Sequence, residues 1–242
     1  MASLYLNPGL EPADAEVGAR ISVAGEEARH AVTVARVRVG ERIAIGDGSG
    51  FVVWGPVTAA SAAELAIEVD EVRHDPEPEP PIWLAQALAK GDRDELAIQA
   101  ATELGVAGVI PWAAERSVSR WEAAKAAKGR ERWGSIVREA SKQAIRSRVP
   151  EVAALATTAD LTALPGRLVV LDPLGDTPLT ELPLDDERLT LVVGPEGGIA
   201  PREFETLVAA GAVRVRLGSE VLRTSTAGPA ALAVLNARLG RW

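Results

Sequence analysis

Two short stretches near the C-terminus hold the residues best suited to chemistry. Gly194-Pro195-Glu196-Gly197-Gly198 follows the apolar run Leu189 to Val193. Leu217-Gly218-Ser219-Glu220-Val221-Leu222-Arg223-Thr224-Ser225-Thr226-Ala227 follows the alternating Val213 and Val215. In each, a strand should run into a glycine-bearing loop and then into a helix start. Glycines in such loops leave backbone N–H and C=O groups uncovered and allow unusual φ angles. Pro201 suits the first turn of a helix, and Glu203 and Glu205 favour its positive end. Thr224 to Thr226 offer caps for a helix starting near Pro229. Two such loops side by side make a pocket for a small molecule. Arg223 would bring a planar donor fork to its edge. Glu196 could accept a proton, cap the following helix or tie the loops together, and a structural role is favoured.

These loops need strands and helices to hold them, and the chain after residue 81 supplies an alternating pattern. Strands are expected at Ile82 to Leu88, Val106 to Trp112, Leu168 to Asp172, Leu189 to Val193 and Val213 to Leu217. Helices are expected at Asp92 to Leu104, Pro201 to Ala210 and Pro229 to Leu239, with one long or broken helix over Trp121 to Ile145. Alternation of this kind implies an α/β domain with a parallel sheet covered on both faces and ligands at the C-terminal strand ends. Leu171 and Asp172 would then complete one wall of the pocket. There is no G-x-G-x-x-G after the first α/β strand and no P-loop signature, so neither common nucleotide fold is supported.

The stretch Asp75-Pro-Glu-Pro-Glu-Pro-Pro81 marks a boundary, because alternating proline and acid favours an extended spacer. Before it lie short β-like runs at Leu4 to Leu6, Ala31 to Val39, Arg42 to Ile45, Phe51 to Val57 and Leu65 to Val72. They suggest a small barrel of five or six strands. A helix over Ala24 to Val34 is an alternative for part of this region. The expected domains are therefore 1–74, a 75–81 linker and 82–242.

Composition removes whole classes of function. With 242 residues and 47% apolar content the chain can build cores without staples, and it has no cysteine at all. Disulfides and thiolate metal sites are excluded, and a reducing, cytoplasmic setting is expected. The two histidines, His30 and His74, both precede the proposed pocket, so a Ser-His-Asp hydrolase or His-rich metal site there is excluded. No bound metal is expected. No secretory leader is expected, and no apolar run approaches membrane-spanning length.

The net charge of −8 argues against nucleic acid as a partner until its distribution is considered. From Arg116 to Arg148 there are ten Lys and Arg against three Glu, a local excess of seven positive charges, and the rest of the chain carries −15. A basic segment on an acidic protein fits one face that meets phosphate. A solvated helix with ion pairs between residues one turn apart, such as Glu139 with Lys142, is the bland alternative. The six tryptophans are more often core or interface residues than stacking platforms: Trp83 and Trp112 are expected in the core, and Trp121 and Trp133, among the basic residues, are the only two worth testing for contact with nucleic acid.

The paired loops resemble those of the SPOUT class of RNA methyltransferases. The similarity is closer to one family, the 16S rRNA uracil-N3 methyltransferases of the RsmE type, which carry GPEGG followed by LG-x-x-VLRT-x-T-A. Three further stretches agree in order: Ile98 to Val106 with Glu115-Arg-Ser-Val118, Arg138 to Pro150, and Val34 to Glu41 with Gly46-Asp47-Gly48. The family often has Glu where this chain has Ser225, and a basic residue where it has Glu220.

The resemblance implies an α/β SPOUT domain with a trefoil knot, behind a PUA-like β-barrel that grips RNA. It implies S-adenosylmethionine as cofactor, held by Leu171, Asp172, Val193, Gly194, Pro195, Glu196, Gly197, Gly198, Leu217, Gly218, Ser219, Val221, Leu222, Thr224 and Thr226. It implies small-subunit ribosomal RNA, in an assembled 30S particle, as partner and substrate, and a homodimer with no membrane role. Arg223 would stabilise the uridinate and Glu196 is the candidate base. Arg36, Arg38, Arg116, Arg138, Gln143, Arg146 and Arg148 are the expected RNA contacts. Without cysteine the protein cannot add a thiolate to a uracil ring, so a substrate heteroatom must attack. Ribose 2′-O-methylation and a non-catalytic assembly factor of the same fold are the alternatives.

Overall fold

The computed structural model describes residues 3–185 and 187–242, and the chain folds as two units. The first contains residues 1–77 and 141–149, the second residues 78–140 and 150–242. The expected spacer at 75–81 is thus where the first crossing falls. The expected single C-terminal domain, however, lends residues 141–149 to the first unit.

The first unit holds β1 (Leu4–Leu6), β2 (Arg20–Ala24), α1 (Gly25–Thr33), β3 (Arg42–Gly46), β4 (Phe51–Ala60), β5 (Glu64–Glu68) and β6 (Glu71–His74). Its six strands run in the order β1-β3-β4-β5-β2, with β6 also on β4. The ten residues of β4 organise it: the first half pairs with β3 and β6, the second with β5, and the register shifts between Val57 and Ala59. This bend wraps the strands around Tyr5, Ile43, Ile45, Val53, Leu65 and Ile67, all buried. Of the expected Ala31 to Val39 strand nothing forms. Its start belongs to α1, where a glycine and two glutamates open the helix, and Arg36 beyond it has φ 57, which breaks an extended run.

Gly55 of β4 lies against the backbone at the end of β5. A Cβ there would lie 1.8 Å from the Glu68 carbonyl oxygen, a backbone atom that cannot rotate away. Gly55→Ala is therefore expected to cost roughly 3 kcal/mol of this unit's stability, read as a lower denaturant midpoint. An unchanged midpoint would show that the two strands separate freely.

The second unit holds β7 (Ile82–Ala87), α2 (Arg93–Glu103), β8 (Gly108–Trp112), most of α3 (Ala123–Gln143), β9 (Glu151–Val152), α4 (Thr158–Thr162), β10 (Arg167–Leu171), β11 (Thr177–Pro178), β12 (Leu189–Val193), α5 (Pro201–Ala209), β13 (Val213–Arg216) and α6 (Thr224–Arg238). Its seven strands form one sheet in the order β11-β13-β10-β12-β7-β8-β9, and every pair is parallel. The near-continuous apolar strands, such as the fully buried Leu189 to Val193, suit a sheet covered on both faces.

Of the two forms expected for the long basic segment, the single helix is the one that forms. Another expectation about helices changes. The last helix starts at Thr224, five residues before Pro229, which lies inside it. The first turn closes through Thr226 and Ala227 N–H groups to the Arg223 carbonyl, so the helix is established before the proline is reached. Trp112 is core as expected, whereas Trp83 is only partly buried, with the Arg188 guanidinium 3.8 Å over its ring. Trp133 is also core, at 1% exposure, which removes it from any RNA surface. Among the described residues no helix is long and apolar enough to cross a membrane.

Candidate active site

In a parallel sheet every strand delivers its following loop to the same edge. β13, β10 and β12 are neighbours, with Leu171 in register with Val215, and Val170 with Val192. The loops after β12 and β13 therefore meet, and β10 contributes Leu171 and Asp172 between them. Together they enclose a cavity of about 990 Å³.

Of the residues expected to hold a cofactor, twelve line this cavity: Leu171, Asp172, Val193, Gly194, Pro195, Glu196, Gly198, Leu217, Gly218, Val221, Leu222 and Thr224. Arg223 lines it too. Gly197, Ser219 and Thr226 do not. The Gly197 carbonyl instead accepts from Arg116 Nη1 at 3.2 Å, so Arg116 supports the first loop from outside the cavity. Gly194 is needed for close approach, since a Cβ would stand 2.7 Å from Ile199 Cγ1.

Thr224 joins the two loops. Its hydroxyl donates to the Gly194 carbonyl at 2.9 Å and accepts from Gln86 Nε2 at 2.8 Å, all in buried surroundings at the end of β7. Thr224→Val keeps the shape but removes both bonds and leaves buried polar groups unpaired, at about 1–3 kcal/mol. If that falls on the loop-closed, ligand-competent state, cofactor affinity drops about tenfold. Thr224→Ser should restore it in a calorimetric titration, and equal affinity for the Val variant would sink the idea.

Glu196 is tied to a third element. Its Oε1 accepts from Lys90 N–H and from Arg93 Nη1, both at 3.2 Å, at the start of α2. It therefore ties the first loop to α2, rather than to the second loop or the following helix. On the opposite wall Asp172 forms an ion pair with Arg214, and its Oδ1 accepts from Leu174 N–H at 3.0 Å. Arg214 also lies 4.8 Å over the Phe204 ring.

The second loop itself is open. Gly218 to Arg223 are exposed, and among the described residues none of their six amide N–H groups donates to the protein. Arg223 caps α6 through its backbone only, and its guanidinium has no partner among the described residues. A row of unused donors, two glycine approaches and apolar side chains from Leu171, Val221 and Leu222 fit an adenosyl ligand with polar edges and a flat ring. The residues present therefore suit S-adenosylmethionine.

Sequence reasoning missed Arg93, Ile199, Phe204, Val208 and Arg214. Pro201, Phe204, Glu205 and Val208 recur at helical spacing directly after the first loop, a signal that could have placed that face of α5 on the cavity.

The expected RNA-contact residues scatter. Arg36, Arg38, Arg138 and Gln143 are exposed. Arg148 is not free for phosphate. Its Nε and Nη2 both donate to the Asp75 carbonyl, and its backbone bridges to Gly48 and Ser49 within the first unit. Arg146 is half-buried, and desolvation pulls its guanidinium down to about 10. Lys142 of the same segment pairs with Glu27 at 3.1 Å, with a side chain 6% exposed. Part of the basic excess thus serves internal packing.

Residues 76–236 match the model of an RNA methyltransferase domain, and residues 23–68 match an RNA methyltransferase PUA domain. The ribosomal RNA small subunit methyltransferase E of Mycobacterium bovis is 40% identical over 94% of this chain and 90% of its own length. The chain belongs to this methyltransferase E family. The Bacillus subtilis member is 32% identical over 89% of each protein. Among solved structures, the methyltransferase E of Neisseria gonorrhoeae bound to S-adenosylmethionine aligns with TM-score 0.86 and 27% identity over 98% of both chains. A Legionella pneumophila methyltransferase in complex with the same cofactor aligns with TM-score 0.85 and 26% identity, again over 98% of both. The family accounts for both units: a PUA-like first unit and a parallel-sheet SPOUT-type methyltransferase unit.

Proposed function

We propose that the protein transfers the methyl group of S-adenosylmethionine to N3 of a uridine in small-subunit (16S) ribosomal RNA. The observation that carries this reading is the cavity built by two glycine-bearing loops, one of them with six amides that donate to nothing among the described residues, and an unpaired arginine at its edge. The methyltransferase E names of the relatives, and the cofactor in two solved ones, support it.

When bound, S-adenosylmethionine supplies an electrophilic methyl group that an in-line nucleophile can take. Gly194 and Gly198 let the chain approach it closely, and the amides of Gly218 to Leu222 donate to its polar edge. Thr224 keeps the two loops together while donor and acceptor align, and alignment alone can supply much of the rate. Uracil N3 carries a proton and becomes nucleophilic only when that proton leaves. Glu196 Oε2, which accepts no bond among the described residues, is the proposed proton acceptor, while Oε1 keeps the loop tied to α2. Arg223 then faces the negative charge spread over N3 and the flanking carbonyl oxygens.

A cytoplasmic homodimer acting on the assembled 30S particle, with the cofactor loops threaded as a trefoil knot, belongs to the same reading. The decisive experiment is transfer from labelled S-adenosylmethionine to small subunits isolated from cells lacking the protein, followed by nucleoside analysis. Label in N3-methyluridine is expected. Label in a 2′-O-methylated nucleoside, or cofactor binding without transfer, would overturn the reading.

A further inference from the structure

The cofactor cavity has a neighbour across one helix. Pro201, Phe204, Glu205 and Val208 line the first cavity, whereas Arg202, Glu203 and Thr206 line a second one of about 730 Å³. These are opposite faces of α5, so the two spaces stand about one helix diameter, ~10 Å, apart. The other walls of the second cavity are the loop after β8, with Ser119, Arg120 and Trp121, and the start of α4, with Thr157 and Thr158. Both cavities therefore open where the sheet delivers its C-terminal loops.

The second cavity is built rather than incidental. The buried Glu203 carboxylate accepts from Glu115 N–H at 3.0 Å, Thr158 Oγ1 at 2.7 Å and Ala200 N–H at 3.3 Å, which joins all three walls. The Trp121 ring is held against α3, where a Cβ on Gly129 would come within 2.5 Å of it, and it meets Trp133 edge-on at 5.3 Å. Arg116, in the same loop as Trp121, bonds the Gly197 carbonyl, so this wall is tied directly to the first cofactor loop.

Its chemistry points to one class of ligand. An indole, the Ser119 hydroxyl, the Thr206 hydroxyl oxygen (its proton is given to the Arg202 carbonyl) and the Arg120 guanidinium, unpartnered among the described residues, suit a planar base with hydrogen-bonding edges. Glu115 and Glu122 on the same rim disfavour a bare anion, and the polar walls disfavour a lipid.

We propose that this cavity receives an unpaired nucleotide of the substrate RNA a few positions from the methylated uridine, with α5 standing between the two bases. The proposal rests on the RNA-methylation reading above and extends it by a second base site.

The absence of cysteine makes the test direct. Ala159→Cys on the rim of the second cavity, and separately Val208→Cys on the cofactor side, would each carry the only thiol of the chain. A tethered iron chelate at each would cleave nearby RNA in complexes with unmethylated small subunits. Cuts from the two probes are expected within the same short stretch, offset by a few nucleotides. Cuts from the Val208→Cys probe alone, or from the Ala159→Cys probe in a distant RNA helix, would overturn the proposal. Arg120→Glu should raise KM for small subunits about tenfold, with cofactor Kd and Tm unchanged. An unaltered KM would overturn it as well. Failure of the parent chain to methylate any subunit would remove the substrate reading itself, and the proposal with it.

Discussion

Arg223→Ala is expected to lower kcat about 10²–10³-fold, the usual loss when one preorganised donor to a developing anion is removed. Cofactor affinity should be nearly unchanged. The argument is local. The Arg223 side chain makes no bond among the described residues, and α6 is capped by the backbone carbonyl at this position, which alanine preserves. The loss should therefore fall on the chemical step and not on folding. Arg223→Lys keeps the charge but not the planar fork, so it should recover only part of the rate. Single-turnover transfer with saturating cofactor measures the step directly. A kcat within threefold of the parent would remove Arg223 from the mechanism.

Glu196→Gln separates two roles that one carboxylate holds. The amide oxygen of glutamine can still accept from Lys90 N–H, so the loop tie is largely kept, although the ion pair to Arg93 is lost. That pair is partly exposed and contributes little to stability. Loss of a positioned base costs about 10²–10⁴ in rate, so kcat should fall by at least two orders of magnitude while Tm hardly moves. The variant should also regain rate as pH rises, because hydroxide and buffer bases then remove the N3 proton. A normal kcat would leave Glu196 with its structural tie alone and assign proton removal to solvent.

Much of this was legible in the amino-acid order because apolar runs and glycine-bearing loops are local signals. The strands at Ile82, Leu189 and Val213, the proline opening α5, and both cofactor loops could be read without knowing any partner. The face of α5 on the cavity was readable as well, though missed. Other features had no local signal. The Thr224 hydroxyl looked like a helix cap, yet it bonds Gly194 and Gln86, the latter 138 residues away. Arg148 looked like a phosphate contact, yet its donors go to the Asp75 carbonyl. Charge counting cannot tell a solvated arginine from one spent on a backbone oxygen.

The sequence by itself determined the class of site: two backbone-rich loops, no thiol, no histidine nearby, and a family pattern in register along most of the chain. Periodicity and glycine placement act over a few residues, so they survive without coordinates. The tertiary structure alone decided which loops meet, which side chains tie them, and which of the basic residues stay in water. Those outcomes depend on strand order in the sheet. The order β13-β10-β12-β7 brings together segments far apart in the chain, and no local preference encodes it.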